Sequence, residues 1–135
     1  MDNEAQAIQE RLSGFFPALL GVRIVTALPD RVVAELDVRE ELCTVPGILH
    51  GGAIMAFADT LGAVGTTLNL PRGAGTTTIE SKTNFFGAAR GGTTITAECL
   101  PLHLGGRTHV WQTSVRSPEG KLLAQITQTQ FVILP

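Results

Sequence analysis

The feature that most constrains this chain is a nearly continuous apolar run over residues 43–68 that contains a single acid, Asp59. A turn at Pro46 and Gly47 precedes the run, and the spacing predicts a helix that begins near Gly51. Apolar residues on every side are typical of a helix that is buried along most of its length. We therefore expect the rest of the chain to wrap this helix.

Asp59 is costly to bury, because an ionised carboxylate without a partner is strongly disfavoured in an apolar interior. The acid either ties the helix to a neighbouring strand, or it acts as a general base or nucleophile at the bottom of a pocket. The start of the helix favours the second interpretation. At His50, Gly51 and Gly52, backbone without bulky side chains meets a helix N-terminus, where free N–H groups and the helix dipole can bind a carbonyl oxygen.

Helix geometry separates these two groups. His50 and Asp59 are nine positions apart, which at ~100° and ~1.5 Å per residue places them on opposite sides of the helix and ~13 Å apart along it. One chain therefore cannot direct both groups at the same carbonyl. If they act together, Gly51 of one subunit must meet Asp59 of another across a two-fold interface, which gives two identical sites per dimer.

The pattern Pro-Gly-x-x-His-Gly-Gly at residues 46–52, followed by Asp59, resembles the hotdog-fold acyl-CoA thioesterases of the phenylacetate-degradation and 4-hydroxybenzoyl-CoA types. A second segment, residues 101–112, is similar to a strand pair of the bacterial 1,4-dihydroxy-2-naphthoyl-CoA thioesterases. The resemblance covers the chain from about residue 20 to its end. It implies an α+β hotdog fold, in which an antiparallel β-sheet wraps around a central buried α-helix.

Length and composition fit one domain over residues 1–135. The resemblance implies that the hotdog core covers residues 20–135, after an N-terminal helix at 1–19. The formal net charge of −2 and the scattered basic residues argue against a nucleic-acid partner. No apolar run reaches the ~18 residues of a membrane span, and the acidic start is unlike a secretory signal, so we expect a cytoplasmic protein. Cys43 and Cys99 lack metal-site spacing and are expected to be free thiols, with no metal bound.

Periodicity predicts the other elements. Apolar residues at helical spacing predict one amphipathic helix that ends near Pro17 and covers the sheet or lines the pocket. These residues are Ile8, Leu12, Phe15, Phe16 and Leu19. Strands are predicted over 22–27, 31–38, 76–86, 93–102, 107–116 and 121–134. In the third of these, strict alternation places Ile79 and Ser81 on one face and Thr78 and Glu80 on the other.

The resemblance implies catalytic roles for particular residues. Asp59 would attack the thioester carbon or deprotonate a water, and the Gly51 N–H of the partner subunit would bind the carbonyl oxygen. Thr44 occupies the position where the family usually carries an Asn or Gln that orients the attacking water, so it departs from the pattern. Thr78 is the best match for the hydroxyl that lies near the acid in the phenylacetate branch, and His50 is expected to support the helix start rather than act as a base.

A larger set of residues is expected to bind substrate. It comprises the helix entrance, the strand after the helix, and two turns at the rim that would meet the phosphates of coenzyme A. These residues are His50, Gly52, Thr78, Asn84, Arg90, Gly105, Gly106 and Arg107. Coenzyme A is part of the substrate in this interpretation, and no separate cofactor is implied.

We therefore predict an acyl-CoA thioesterase that hydrolyses an aryl or fatty acyl thioester to the free acid and coenzyme A. Helix geometry requires at least a homodimer, and the resemblance implies a homotetramer. One alternative is a hotdog dehydratase or hydratase acting on 3-hydroxyacyl thioesters, whose family pairs a catalytic His with the helix acid in a different local pattern. The other is an acyl-CoA-binding protein without turnover. Release of free thiol from an acyl-CoA, hydration of an enoyl-CoA, or ligand binding without thiol release would distinguish the three.

Overall fold

The computed structural model describes residues 2–135. Its helices are α1 (Asn3–Leu12), α2 (Phe16–Leu20) and α3 (Gly51–Thr67), with a 3₁₀ turn at Glu40–Leu42. Its strands are β1 (Arg23–Leu28), β2 (Arg31–Asp37), β3 (Cys43–Thr44), β4 (Ile48–Leu49), β5 (Gly75–Phe85), β6 (Thr94–Leu104), β7 (Thr108–Arg116) and β8 (Leu122–Ile133). None of these helices is long and apolar enough to cross a bilayer.

Six strands form one antiparallel sheet in the order β1-β2-β6-β7-β8-β5. The short strands β3 and β4 pair with each other just before α3. The helix α3 packs against all six strands of the large sheet, because its apolar side chains find their only large buried surface there. This arrangement confirms the predicted α+β hotdog architecture and the central position of the helix.

Two glycines inside α3 mark where the sheet approaches it most closely. A Cβ atom at Gly65 would lie 2.7 Å from Cη2 of Trp111, the largest fully buried side chain. At Gly62 the same space is filled by the amide of Gln128. Glycine in a helix interior costs about 0.5–1 kcal/mol relative to alanine, and close packing against these two side chains explains why both positions lack a Cβ.

One face of α3 is not covered by the sheet. Gly52, Met55 and Thr67 are exposed along it, and Asp59 and Ala63 are half-buried. These positions lie three or four residues apart and so form a single stripe, which we call the open stripe. The helix is buried along most of its length, as expected, but the open stripe leaves 38% of the Met55 surface exposed in the single chain.

The N-terminal segment folds as two helices rather than the one predicted. The chain turns at Gly14, whose φ of 84° lies in the left-handed region, and Pro17 occupies the first turn of α2. The turn breaks the helical spacing, so the predicted apolar face does not form. Ile8 is buried and Leu12 is half-buried, but Phe15, Phe16 and Leu19 are 68%, 58% and 74% exposed.

The predicted strands all form, with ends shifted by one to a few residues, and β5 contains a β-bulge that the sequence did not indicate. The register with β8 shifts between Thr78 and Glu80, so Ile79 is an extra residue and is 58% exposed. Beyond the bulge, Ser81 and Thr83 are the half-buried residues and therefore share the inner face with Thr78. The predicted strict alternation along this strand is wrong for that reason.

Candidate active site

Asp59 lies on the open stripe of α3, where β5 crosses beside it. Its Oδ1 accepts a hydrogen bond of 2.6 Å from the Thr78 hydroxyl, so the structure brings together the predicted acid and the predicted neighbouring hydroxyl. Both residues are half-buried, which leaves the carboxylate accessible to a ligand. A carboxylate of this kind can act as a base or as a nucleophile.

A cavity of about 340 Å³ opens beside Asp59, between the N-terminal helices and α3. Its lining is mostly apolar, with Ile8 and Leu12 on one side and Ala63 and Val64 on the other, and with Arg11 also at its wall. The prediction that the N-terminal helix lines a pocket is therefore confirmed for α1. The cavity can hold an apolar group in contact with the acid.

Two fully buried glutamines of β8 lie behind Thr78. Gln130 Nε2 donates 2.6 Å hydrogen bonds to Thr78 Oγ1 and to Gln128 Oε1, and Gln128 Nε2 donates to the backbone oxygen of Ala58 at 2.9 Å. The sequence analysis missed both residues. The available signal was their position, because Ile126 and Val132 lie on the same alternating face of the strand and belong to the buried side.

The start of α3 is built from backbone atoms. His50 is the N-cap, and its Nδ1 accepts a 2.8 Å hydrogen bond from the Gly52 N–H, which supports the helix start as expected. That bond occupies the Gly52 N–H, and the expectation that Gly52 binds substrate stays a prediction. No acceptor within residues 2–135 bonds the Gly51 N–H, which remains the free donor at the positive end of the helix dipole.

A second groove, of about 320 Å³, runs beside Gly51. Thr44, Ile54 and Phe85 are among its lining residues, and a Cβ atom at Gly51 would lie 3.2 Å from the Phe85 ring. A side chain at position 51 would therefore crowd the groove. The groove and the Asp59 cavity have no lining residue in common, and Gly51 and Asp59 are eight positions apart, ~12 Å along the helix.

The predicted residues thus divide into two half-sites within one chain. The acid half-site holds Asp59 and Thr78, and the donor half-site holds Gly51 and Thr44. Thr44 therefore does not lie with Thr78 in the same chain. Asn84 lines neither half-site, because it is exposed on the outer face of β5.

The two arginines predicted to bind coenzyme A at the rim also lie far apart. Arg90 and Arg107 are both exposed and lie beyond opposite ends of β6, whose 11 residues span roughly 33 Å. Arg90 follows Ala89, whose carbonyl oxygen accepts a 2.8 Å bond from Leu49 N–H just before α3 begins. Arg107 follows the Gly105–Gly106 turn near the end of α3 and lies over the Phe131 ring, 5.1 Å from its centroid. One chain therefore does not offer both arginines to one ligand.

A third cavity, of about 260 Å³, contains Arg90 and a cation that the sequence analysis did not consider, Lys121. Ala88 and Ala89 line both this cavity and the Gly51 groove, so the two are adjacent. Thr93, Ser117 and the acidic Glu119 complete its polar wall. The donor half-site therefore leads directly to a pair of positive charges.

The other candidate groups are structural. Cys43 and Cys99 are free thiols, as predicted, and burial raises the pKa of Cys99 to about 12, which makes it a poor nucleophile. Within the part of the chain that the structure describes, no cluster of three His, Cys, Asp or Glu side chains could hold a metal ion. Trp111 and His109 share the buried hydroxyl of Thr66, at 2.8 and 3.1 Å.

An antiparallel sheet around a central helix is the architecture of the hotdog fold. The sequence model of the thioesterase superfamily matches residues 46–124. The chain therefore belongs to the thioesterase superfamily and is a thioester hydrolase. This confirms the resemblance seen in the sequence.

Individual relatives agree with this assignment. The chain is 32% identical over 114 residues to a Haemophilus influenzae protein that carries the name of an esterase, covering 84% of this chain and 82% of the relative. It is 27% identical over 128 residues to the 1,4-dihydroxy-2-naphthoyl-CoA hydrolase of Escherichia coli, covering 95% and 93%. A crystal structure of a Haemophilus influenzae thioesterase superposes with a TM-score of 0.90 at 29% identity, covering 96% of this chain and 90% of that one.

Proposed function

We propose that the protein hydrolyses acyl-CoA thioesters at a site shared by two copies of the chain. Asp59 of one copy would act on a thioester whose carbonyl oxygen is bound by the Gly51 N–H of the other. The observation that carries the proposal is the division of the site: a free donor and an accessible acid lie on one helix, too far apart to meet within a chain. A two-fold axis between the copies would place each Gly51 N–H beside the partner's Asp59 and so give two identical sites.

The open stripe suggests how the two copies meet. Position 55 lies midway between positions 51 and 59, so two antiparallel copies of α3 related by an axis at Met55 would place each Gly51 beside the partner's Asp59. Met55 is exposed, and so are the apolar side chains of Ile79, Phe85 and Phe86 in and beside the edge strand β5. Exposed apolar surface along an unpaired edge strand favours association. The tetramer implied by the resemblance remains a prediction, which a mass measurement by light scattering would test.

Each half-site has one role in the proposed reaction. The Gly51 N–H and the helix dipole would stabilise the negative charge that develops on the carbonyl oxygen. Asp59 would attack the carbonyl carbon or remove a proton from a water that does so, with Thr44 of the donor half-site as a candidate to hold that water. If water attacks, the C–S bond breaks and the leaving thiolate takes the proton that Asp59 removed from the water, which gives the free acid and coenzyme A. If Asp59 attacks, the thiolate leaves and takes a proton from solvent, and water then hydrolyses the mixed anhydride on Asp59 to release the acid and restore the carboxylate.

The surroundings of the two half-sites favour an acyl-CoA over a smaller thioester. The mostly apolar cavity beside Asp59 would hold the acyl group. From Gly51 the groove passes Ala88 and Ala89 to Arg90 and Lys121, where the phosphates of coenzyme A would find two cations. Antiparallel helices would also bring Arg107 of one copy toward Arg90 of the other. A relative named as a naphthoyl-CoA hydrolase supports the same substrate class.

Thiol release tests the proposal directly. Wild-type protein and Asp59→Asn are assayed against short, long and aromatic acyl-CoAs, with the appearance of free thiol as the signal. We expect turnover by the wild type and a loss of ~10³-fold or more in kcat for the variant, because the acid or nucleophile is removed. Full activity of Asp59→Asn would exclude Asp59. Binding without thiol release, or hydration of an enoyl-CoA instead, would favour the two alternative functions.

A further inference from the structure

The hydrogen bonds behind Asp59 form a closed path that begins and ends on α3. From Asp59 it runs to Thr78 on β5, to Gln130 and Gln128 on β8, and back to the carbonyl oxygen of Ala58, the residue that precedes the acid. Both glutamines are fully buried. A buried amide is expensive to keep without partners, so a path made only for packing would be better served by apolar side chains.

The donors and acceptors along this path can be arranged in only one way. The carbonyl oxygen of Ala58 can only accept, so Gln128 must present its NH₂ group to it and its Oε1 to Gln130. Gln130 must then present its own NH₂ group to Gln128 and to Thr78. Turning either amide over would set two acceptors against each other, which is costly in a buried site.

The orientation of the two amides determines which hydrogen bonds the Thr78 hydroxyl makes. Its oxygen accepts from Gln130, and the one hydrogen of its hydroxyl is therefore left for Oδ1 of Asp59, at 2.6 Å. At the other end of the Gln130 amide, Oε1 lies 2.9 Å from the Thr76 hydroxyl, whose single hydrogen also has the Phe131 carbonyl oxygen as an acceptor at 3.0 Å. Oδ2 of Asp59 accepts no hydrogen bond from the residues that the structure describes.

We propose that Gln128 and Gln130 are positioning residues for the reaction. They hold the Thr78 hydroxyl as a donor to Oδ1, which orients the ionised carboxylate of Asp59 and leaves Oδ2 as the oxygen that reacts with the carbonyl carbon or with water. The carbonyl oxygen of Ala58 thus sets the orientation of Asp59 on the same helix. It acts through the side chains of Gln128, Gln130 and Thr78. This inference rests on the proposed catalytic role of Asp59.

A double-mutant cycle on the complete protein tests it. Thr78→Val removes the hydroxyl and Thr78→Ser keeps it, while Gln130→Met removes the amide at similar length. We expect Thr78→Val and Gln130→Met each to lower kcat by about 10- to 100-fold, the value of a hydrogen bond to a charged group, with less than a twofold change in KM. Thr78→Ser should stay near the wild type.

Two readouts distinguish positioning from damage to the fold. The acid limb of the kcat/KM profile should move to higher pH in both impaired variants, because the carboxylate has lost its donor. The double variant should be no slower than Thr78→Val alone, since Gln130 acts through Thr78. Gln125→Met is the matched control, because it changes the same residue type on the same strand. The Gln125 side chain lies outside the path and accepts a 3.1 Å hydrogen bond from the Ser114 hydroxyl. This variant should leave kcat and the pH profile unchanged.

Additive losses in the double variant, or a wild-type pH profile in Gln130→Met, would overturn the inference. If Gln130→Met does not fold, Gln130→Glu keeps the size of the side chain and removes the NH₂ donors; a wild-type profile in that variant would overturn it equally. These failures differ from failure of the proposed function. An active Asp59→Asn would overturn the catalytic role of the acid itself, whereas an inactive Asp59→Asn with a normal Gln130→Met would overturn only the positioning role.

Discussion

The beginning and the middle of α3 are built in opposite ways. Asp59 in the middle is held by a directed path of side-chain hydrogen bonds that closes within one chain. Gly51 at the beginning contributes a bare N–H, beside a groove that is open and largely apolar. The acid half-site is complete in a single copy, and the donor half-site offers only a group for something else to use. This difference is the observation behind the proposal that a second copy of the chain completes the site.

After Asp59→Asn, the largest effect should come from removing the Gly51 N–H alone. Gly51 is the first residue of α3, where proline is well accepted, and the extended ψ of 136° at His50 suits a following proline. Gly51→Pro should lower kcat by ~10²–10³-fold relative to Gly51→Ala, the usual cost of one oxyanion donor. The alanine variant brings a Cβ to the same place beside Phe85 and keeps the donor. Equal activity of the two would remove the N–H from the mechanism.

The sequence predicted the donor half-site better than the acid half-site, for a physical reason. A backbone donor requires only glycines at a helix start, and His50, Gly51 and Gly52 are adjacent in the chain. The path behind Asp59 joins residues up to 70 positions apart. A glutamine in a strand is usually exposed, so Gln128 and Gln130 are not recognised until the register of β8 shows that they face inward.

Periodicity also explains which parts of the fold were predicted. The apolar run of α3 and the β-branched strands carry long signals, and those elements form close to the expected bounds. Single-residue irregularities carry little signal. The positive φ of Gly14 divides the N-terminal helix, and the extra Ile79 in β5 reverses the inner and outer faces after Thr78. The proposed shared site depends on contacts between copies, which the periodicity of one chain does not encode.

A substitution at Gly62 should disturb the acid half-site through packing. A Cβ there would occupy the space of the Gln128 amide, so Gly62→Ala should lower the free energy of unfolding by about 1–3 kcal/mol, as overpacking does. Urea denaturation measures this change. Gly106→Ala is the control, because apart from its two chain neighbours no atom of residues 2–135 lies within 4 Å of its Cβ position. It should change the stability by less than about 0.5 kcal/mol. Equal stabilities would show that the helix is not tightly packed there.

The smallest effect concerns pH and lies outside both half-sites. Burial lowers the pKa of His109 below its ordinary value, so the folded protein binds this proton less readily than the unfolded chain. Its contribution to stability is full above about pH 6.5 and decreases as the pH falls. Below that pH the free energy of unfolding should fall by no more than about 1.4 kcal/mol per pH unit for this one proton.

His109→Gln should reduce that slope in thermal or urea unfolding between pH 7 and pH 5, and it should leave the pH profile of kcat/KM unchanged. The variant therefore separates acid destabilisation of the fold from titration of the active site. An unchanged slope would show that His109 is protonated as easily in the folded state as in the unfolded one.

Mixed dimers test the shared site most directly. Asp59→Asn and Gly51→Pro chains are co-expressed with different affinity tags, and dimers that carry both tags are purified. Each variant alone should be nearly inactive, but the mixed dimer keeps one site in which an intact Asp59 faces an intact Gly51. We predict thiol release at about half the wild-type rate per dimer. A mixed dimer as inactive as its parents would show that both groups must belong to the same chain, which contradicts the account.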